Sequence, residues 1–381
     1  MNRTKVLHVV TKLELGGAQQ NTLHTVSHLD PTRYDAVLVS GSGGILDPEV
    51  LGLGVRVVFV PSLVRPVRPW HDVRALWALY RLFKKEKPTI VHTHSSKAGV
   101  LGRWAAVWAK VPVLIHTFHG FGHHREQPRL VREFFVQIER FLARRTSQLI
   151  TVSLANQREA LQRGIGTAGQ HVLIRSGVFV KAFQGVTKKS KDLPGLSIPP
   201  GHRLITTIGP FKPQKNLKDF LEAARLVLEK RSDVIFLVVG DGAGRPDLEQ
   251  RIRRHRLNNR VFLTGWRRDI PDVLARTDIF CMTSLWEGLP RSLVEALCAG
   301  IPSVVNAVDG CTDLIVDGDN GFLVAPKQPH TTADRLLTLL ENPTLFRQIS
   351  DRARTTIGPD FDIDAMVKQQ EALYQRLTPP S

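Results

Sequence analysis

The sequence predicts an α/β protein built from two successive doubly wound domains. Three observations carry that expectation. Short Val- and Ile-rich runs alternate with amphipathic segments, once before residue 184 and again after residue 200. At 381 residues the chain is longer than a single hydrophobic core usually serves. Between the two series lies QGVTKKSKDLPGLSIPP (184–200), rich in Lys, Ser, Gly and Pro and without periodicity, which reads as a linker. The expected division is therefore a first domain over 1–183, the linker over 184–200 and a second domain over 201–361. A terminal helix over 362–381 has no strand after it and is expected to pack back toward the first domain.

In the first series KVLHVV (5–10) reads as a buried strand, and the glycine-bearing turn LELGGAQQ leads into a helix ending near Leu29. Strands follow near 36–40 and 55–60, then a helix over 73–87, strand TIVHTH (89–94) and a helix over 97–110. Strand PVLIHTFH (112–119), a long helix over 128–146 and strand LITVS (149–153) complete the set. The second series opens with LITTIG (204–209), a helix over 217–229, VIFLVVG (234–240) and a helix over 246–255. It continues through VFLTG (261–265), a helix over 270–275, IFCMTS (279–284) and a helix over 290–299. SVVNA (303–307), GFLV (321–324), a helix over 331–341 and a last helix over 363–377 end it. Continuous apolar strands separated by helices are expected of parallel sheets covered on both faces.

Composition excludes several classes. Hydrophobic residues make up 42% and charged residues 23%, so a disordered chain is ruled out. The mildly apolar stretch after Arg3 and Lys5 is too short for a signal-peptide core, and no run reaches the length of a membrane span. Cys281, Cys298 and Cys311 form no CxxC pair and are odd in number, which fits a reduced, cytosolic compartment. Residues 1–190 carry 27 Lys/Arg against 11 Asp/Glu, whereas residues 191–381 carry 25 against 24. Such asymmetry points to an anionic partner for the first half: a lipid surface, a phosphorylated acceptor or nucleic acid.

The most informative segment is SLWEGLPRSLVEALCAGIPSVVNAVDGCTDLIVDGDNGFLV (284–324). Pro290 suits the first turn of a helix, Gly300 its C-terminal cap, and Pro302 the residues beyond. Glu287 then lies in the loop before the helix and Glu295 inside it. Free amides at a helix start suit a diphosphate, and a carboxylate can accept both hydroxyls of a vicinal diol. By spacing alone, a dipole-stabilising acid and a solvated mid-helix Glu fit equally well.

Together with LGGAQQ, HTHSSKAG, HTFHGF, RSGV, GPFKPQKN, GDG and DGDNGFLV, this segment resembles the Glu-x7-Glu region of glycosyltransferase family 4, over essentially the whole chain. The resemblance implies a GT-B fold, with two Rossmann-like domains facing across a cleft. It also implies retaining transfer of a hexose-type sugar from a nucleoside-diphosphate sugar, UDP being favoured. The expected acceptor is a hydroxyl of a lipid-linked or cell-surface glycan precursor, as in polysaccharide or lipopolysaccharide biosynthesis. Carried over by position, Glu295 would hold the donor ribose, and Glu287 the donor sugar with the backbone at Gly288 and Leu289. Lys215 would neutralise the diphosphate, Gly17 would let the backbone approach it, and His119 would stand near the reacting centre. Two positions depart from the family pattern. Pro210 stands where an Arg usually follows the glycine, so that either Lys212 substitutes or donor binding is weakened, and Asp309-Gly310 replaces a common pair of glycines. Neither a cofactor nor an obligatory metal is expected. The retaining class implies front-face attack in which the leaving phosphate helps deprotonate the acceptor hydroxyl, with a covalent intermediate through a nearby carboxylate as the competing mechanism.

His94 and His119, at the C-terminal ends of strands, are expected to line a cleft. His94 and Lys97 are the acceptor-side candidates, and His92 reads as a packed strand residue. A metal cluster from His92, His94, His116 and His119 with His123 and His124 would need fortunate geometry. The helix over 73–87 mixes Trp77, Tyr80 and Phe83 with Arg and Lys, as interfacial helices do. Peripheral attachment to the cytoplasmic face of an anionic membrane is expected from it, against the plain alternative of a solvated helix face. A silent homologue, a nucleotide-sugar 2-epimerase and a phosphorylase are the competing readings on this architecture. A nucleic-acid-binding protein is the reading from another class, suggested by pI 10.2 and opposed by the absence of any recognition motif.

Overall fold

The computed structural model describes residues 3–186, 193–195 and 198–378. The chain forms two compact units, Met1–Gly177 with Ile363–Ser381, and Val178–Asp362. The sequence division at 183/184 falls six residues beyond the observed one. Much of the expected linker (187–192, 196 and 197) lies outside the described residues. Its described Leu193 and Ile198 are buried with Leu204, Ile235 and Leu237 in the core of the second unit.

The first unit runs β1 (Thr4–Lys12), α1 (Gly17–His28), β2 (Tyr34–Gly41), α2 (Asp47–Gly52), β3 (Arg56–Phe59), α3 (Pro69–Glu86) and β4 (Ile90–His94). It continues α4 (Ser96–Ala109), β5 (Val113–Phe118), α5 (Arg129–Ala143), β6 (Gln148–Thr151), α6 (Leu154–Gln162) and β7 (His171–Leu173). The second unit runs α7 (Val180–Gln184), β8 (Arg203–Ile208), α8 (Leu217–Lys230), β9 (Val234–Val239), α9 (Arg245–Arg254), β10 (Val261–Gly265), α10 (Ile270–Arg276) and β11 (Ile279–Met282). Then come α11 (Arg291–Cys298), β12 (Ser303–Asn306), α12 (Cys311–Leu314), β13 (Phe322–Val324), α13 (Pro329–Glu341) and α14 (Pro343–Thr356). The last helix, α15 (Ile363–Leu377), belongs to the first unit.

Both sheets are parallel, in the orders β3-β2-β1-β4-β5-β6-β7 and β10-β9-β8-β11-β12-β13. Each is a doubly wound, Rossmann-like sheet whose order reverses beside its first strand, at β1/β4 and at β8/β11. In the first unit α15 packs on the sheet: Ile363, Met366, Val367, Leu373 and Tyr374 are buried with Val6, Ile90, Ile115 and Ile150. Gly177 faces Ile363 so closely that a Cβ would lie 2.5 Å from its Cα, so glycine is required where the chain leaves this unit.

Six elements are absent from the sequence expectation: α2, α6, β7, α7, α12 and α14. Four of them, α2, β7, α7 and α12, are too short to show a period, β7 being a three-residue edge strand. Ser153 accepts the Asn156 N–H to open α6. Asn342 with Pro343 opens α14, a start signal that ENPTLF displays in plain sight.

Candidate functional site

In the second unit the order reversal places the loops after β8 and β11 side by side, at the strand ends where such sheets bind ligands. The loop after β8 runs from Gly209 through a 3-10 turn at Pro213–Lys215, and left-handed Asn216 (φ 46°) turns it into α8. Several bonds tie it to the second loop. Leu285 N–H donates to Gln214 O (2.8 Å), Gln214 Nε2 to Trp286 O (2.8 Å), and Thr283 Oγ1 to Asn216 O (3.1 Å). The result brings Lys215 Nζ to 2.5 Å from Glu287 Oε1, both side chains being largely buried. Gly209 lies beneath the lysine, since a Cβ there would meet Lys215 Cε at 2.9 Å.

Glu287 is held from behind as well. Its N–H donates to Asp309 Oδ2 (2.6 Å), and Asp309 sits in the left-handed region at φ 35°. The neighbouring Gly310 N–H donates to Gly288 O (3.1 Å), and a Cβ on Gly310 would lie 2.1 Å from that oxygen. Asp309-Gly310 thus works as an anchor and a close approach. Gly288 and Leu289 continue to Pro290, the cap of α11. Glu295 lies inside that helix, with Arg291 one turn earlier and 3.6 Å away. Burial raises the Glu295 carboxyl and lowers the Arg291 guanidinium, each opposed in part by the other's charge. Burial, and next the Glu287 charge, push the Cys311 thiol well above its ordinary value. The Pro210 carbonyl accepts the Lys212 N–H (2.8 Å), and Lys212 is half-buried on the same loop.

In the first unit Gly17 opens α1, as expected, with Gly16 as its cap. Lys97, on the first turn of α4, pairs with Asp72 Oδ1 (2.5 Å) and donates to Pro66 O, so it ties α4 to the start of α3. His94 and His119 are brought together, His94 Nδ1 lying 3.1 Å from His119 Nε2. The register explains a larger assembly. His8 on β1 is the partner of His92 on β4, and His94 is the partner of Thr117 on β5, so all share one sheet face. His8 Nδ1 is 3.0 Å from His94 Nε2, and His92 lies 2.6 Å from Tyr374 Oη and 2.7 Å from Thr117 Oγ1. Ring nitrogens of His8, His92 and His94 all lie within 4.8 Å, the set among the described residues that could hold an ion. His116, on the opposite parity, faces Thr93 Oγ1 (2.9 Å) and takes no part. Burial lowers the imidazoles, His8 to about 3 and His119 to about 4, so they are neutral.

The sequence reading missed Gln214, Asp309, His8 and Tyr374. His8 was detectable, because KVLHVV and TIVHTH place histidines in matching strand positions. Tyr374 had no such signal, lying 366 residues from His8.

Residues 188–356 match the family described as "Glycosyl transferases group 1" and residues 16–177 the "Glycosyl transferase 4-like domain". The UDP-Gal:alpha-D-GlcNAc-diphosphoundecaprenol alpha-1,3-galactosyltransferase of Escherichia coli is 32% identical over 378 residues, covering 98% of this chain and 97% of its own. The chain belongs to glycosyltransferase family 4. Another relative is the N,N'-diacetylbacillosaminyl-diphospho-undecaprenol alpha-1,3-N-acetylgalactosaminyltransferase of Campylobacter jejuni, 24% identical, covering 91% and 92% of the two chains. Among solved structures, Anabaena HepE in complex with UDP and glucose superposes with a TM-score of 0.82 at 22% identity, over 98% of this chain and all of that one. Sucrose-phosphate synthase of Thermosynechococcus elongatus gives 0.83 at 19% identity, over 98% and 99%. These likenesses place the family 4 glycosyltransferase in the GT-B fold class, and it is an enzyme of sugar transfer.

Proposed function

We propose that this glycosyltransferase is retaining, draws its sugar from a UDP-sugar and transfers it to a hydroxyl of a polyprenyl-diphosphate-linked glycan precursor at the cytoplasmic face of the membrane. The observation that carries the reading is the full-length similarity to an enzyme whose name specifies UDP-Gal and a diphosphoundecaprenol acceptor.

The second unit supplies the chemistry such a donor needs. Lys215 neutralises the diphosphate, with Lys212 as second cation in place of the arginine that Pro210 displaces. Glu295 accepts the ribose hydroxyls, and the amides around Gly288 and Leu289 meet the phosphate oxygens at the start of α11. Glu287 accepts from the donor sugar's hydroxyls. Before the donor arrives Lys215 and Glu287 neutralise one another, so the site can stay closely packed without two unpaired charges. A place for His119 near the reacting centre and for Gly17 at the diphosphate are the roles that the family resemblance implies for the first unit. As the bond from C1 to the diphosphate oxygen breaks, the acceptor oxygen attacks the same face, and its proton passes to the departing phosphate. Lys215 lowers the barrier most, by stabilising the negative charge that builds on that leaving group, and no divalent metal is required.

Calorimetry with UDP, GDP, ADP and dTDP in the presence of EDTA tests this. UDP should bind wild type, and Glu295→Ala should weaken it by about 1.5 kcal/mol or more. Binding of no diphosphate, or binding only after a divalent cation is restored, would overturn the donor site as described.

A further inference from the structure

The buried face of the first sheet carries an unbroken line of ring nitrogens and hydroxyls. It runs from His119 Nε2 to His94 Nδ1 (3.1 Å), from His94 Nε2 to His8 Nδ1 (3.0 Å), and from His8 Nε2 to Tyr374 Oη (3.3 Å). From there it passes to His92 Nδ1 (2.6 Å) and from His92 Nε2 to Thr117 Oγ1 (2.7 Å). At its other end His119 Nδ1 is buried and has no hydrogen-bond partner among the described residues. His94, His119 and Thr117 line a small cavity with Asn21, Arg175 and Gln370.

A neutral imidazole has one N–H and one bare nitrogen, so each link fixes the next. Tyr374 has a single hydroxyl proton and two close histidine neighbours, Gln370 Oε1 being farther away at 3.5 Å, which leaves two arrangements of the whole line. If Tyr374 donates to His92, then His8, His94 and His119 all carry their proton on Nε2, and His119 shows the cavity a bare Nδ1. If Tyr374 donates to His8, every ring reverses and His119 shows an N–H. The distances separate the two. An O–H donor makes the shorter bond, and the 2.6 Å contact is to His92, whereas 3.3 Å to His8 suits an N–H donating to oxygen.

We infer that Tyr374, acting through His8 and His94, is a positioning residue that fixes His119 as the Nε2–H tautomer, so that His119 Nδ1 accepts a hydrogen bond from a hydroxyl of the donor sugar. The last clause rests on the proposed donor chemistry, while the tautomer does not. The ordering spans three strands and α15, and burial keeps all the rings neutral, as a chain of this kind requires. Tyr374 donates its hydrogen bond to His92, whose other nitrogen is satisfied by Thr117. His92 therefore closes the line and sends nothing to the cavity.

Selective 15N labelling of histidine in the full chain, with His119 assigned by difference from His119→Gln, reads the tautomer directly in the absence of any sugar. Nε2–H on His8, His94 and His119 is expected, and Nδ1–H on His119 overturns the inference without needing any core variant to fold. Loss of these ring protons on adding zinc chloride would also overturn it, in favour of an ion held by His8, His92 and His94. The catalytic half is tested by a double-mutant cycle on transfer from UDP-sugar. Tyr374→Phe should lower kcat/KM about tenfold and mix the His119 tautomers. In a His119→Ala background the same substitution should have little further effect. Equal losses in both backgrounds would show that Tyr374 serves packing alone. An Nε2–H spectrum with no kinetic coupling would retain the tautomer and overturn the sugar contact.

Discussion

Burial in α11 raises the Glu295 carboxyl above its ordinary value, and Arg291, 3.6 Å away, offsets only part of that. The folded protein therefore holds this proton more tightly than the unfolded chain does, whose glutamate titrates near 4.3. Stability contributed by the protonated form is lost as pH rises from that value through the raised one. Glu295→Gln copies the protonated state. Thermal melts from pH 4 to pH 8, values taken as roughly bracketing that window, should show the two proteins alike at the acid end and the variant the more stable at the basic end. A variant less stable throughout would mean that Arg291 depends on the charge more than burial resists it. The placement of Glu287 and Glu295 was legible in the sequence because a loop, a proline and a helix period set it, whereas Lys215 came only through the resemblance that GPFKPQKN carries. The Asp309 carboxylate was not legible, because its contact with the Glu287 backbone depends on two strands meeting.

At the scale of elements, strands and long helices could be read from periodicity, and β10 and the first residue of α15 fall where the sequence put them. The misses were elements whose stability comes from their surroundings. Six-residue α2 buries only Val50, and five-residue α7 buries Val180 and Phe183. Helix α14 is different, being a fourteen-residue helix with its own start signal. The Asn342 side chain accepts the Leu345 N–H at 3.0 Å, satisfying one of the orphan amides of the first turn. Asn342→Ala should cost ~1 kcal/mol, and Asn342→Asp much less. Urea unfolding of the two variants checks this, and equal losses would assign the effect to packing of Phe346 instead.

The whole molecule divides its charge unequally: the first unit carries 26 Lys/Arg against 13 Asp/Glu, the second 26 against 22. On α3 the exposed side chains are Trp70, Val73, Arg74, Trp77, Arg81, Lys84 and Lys85, with the Arg81 guanidinium over the Trp77 ring at 5.2 Å. Ala75, Leu79 and Phe83 form the buried side. No helix among the described residues is long and apolar enough to cross a membrane. An outward face of indoles among cations suits the lipid headgroup layer instead. Sedimentation with vesicles should therefore show binding when phosphatidylglycerol is included and little to phosphatidylcholine alone, declining as salt is raised. Lys84→Glu and Lys85→Glu should each weaken it about fivefold, and Trp70→Ala should weaken it at high salt too. Equal binding to both lipids would remove the electrostatic part of this reading.

The core position of α15 also sets the order in which the chain can fold during synthesis. The sheet of the first unit leaves the ribosome early, yet the helix that covers it, with Tyr374, emerges only after all of Val178–Asp362. Domains generally fold as units while the chain is being made, so here the later unit is able to finish before the earlier one. Until its last helix arrives, the nascent first unit presents Val6, Ile90, Ile115 and its histidine face to whatever chaperone or chain is nearby.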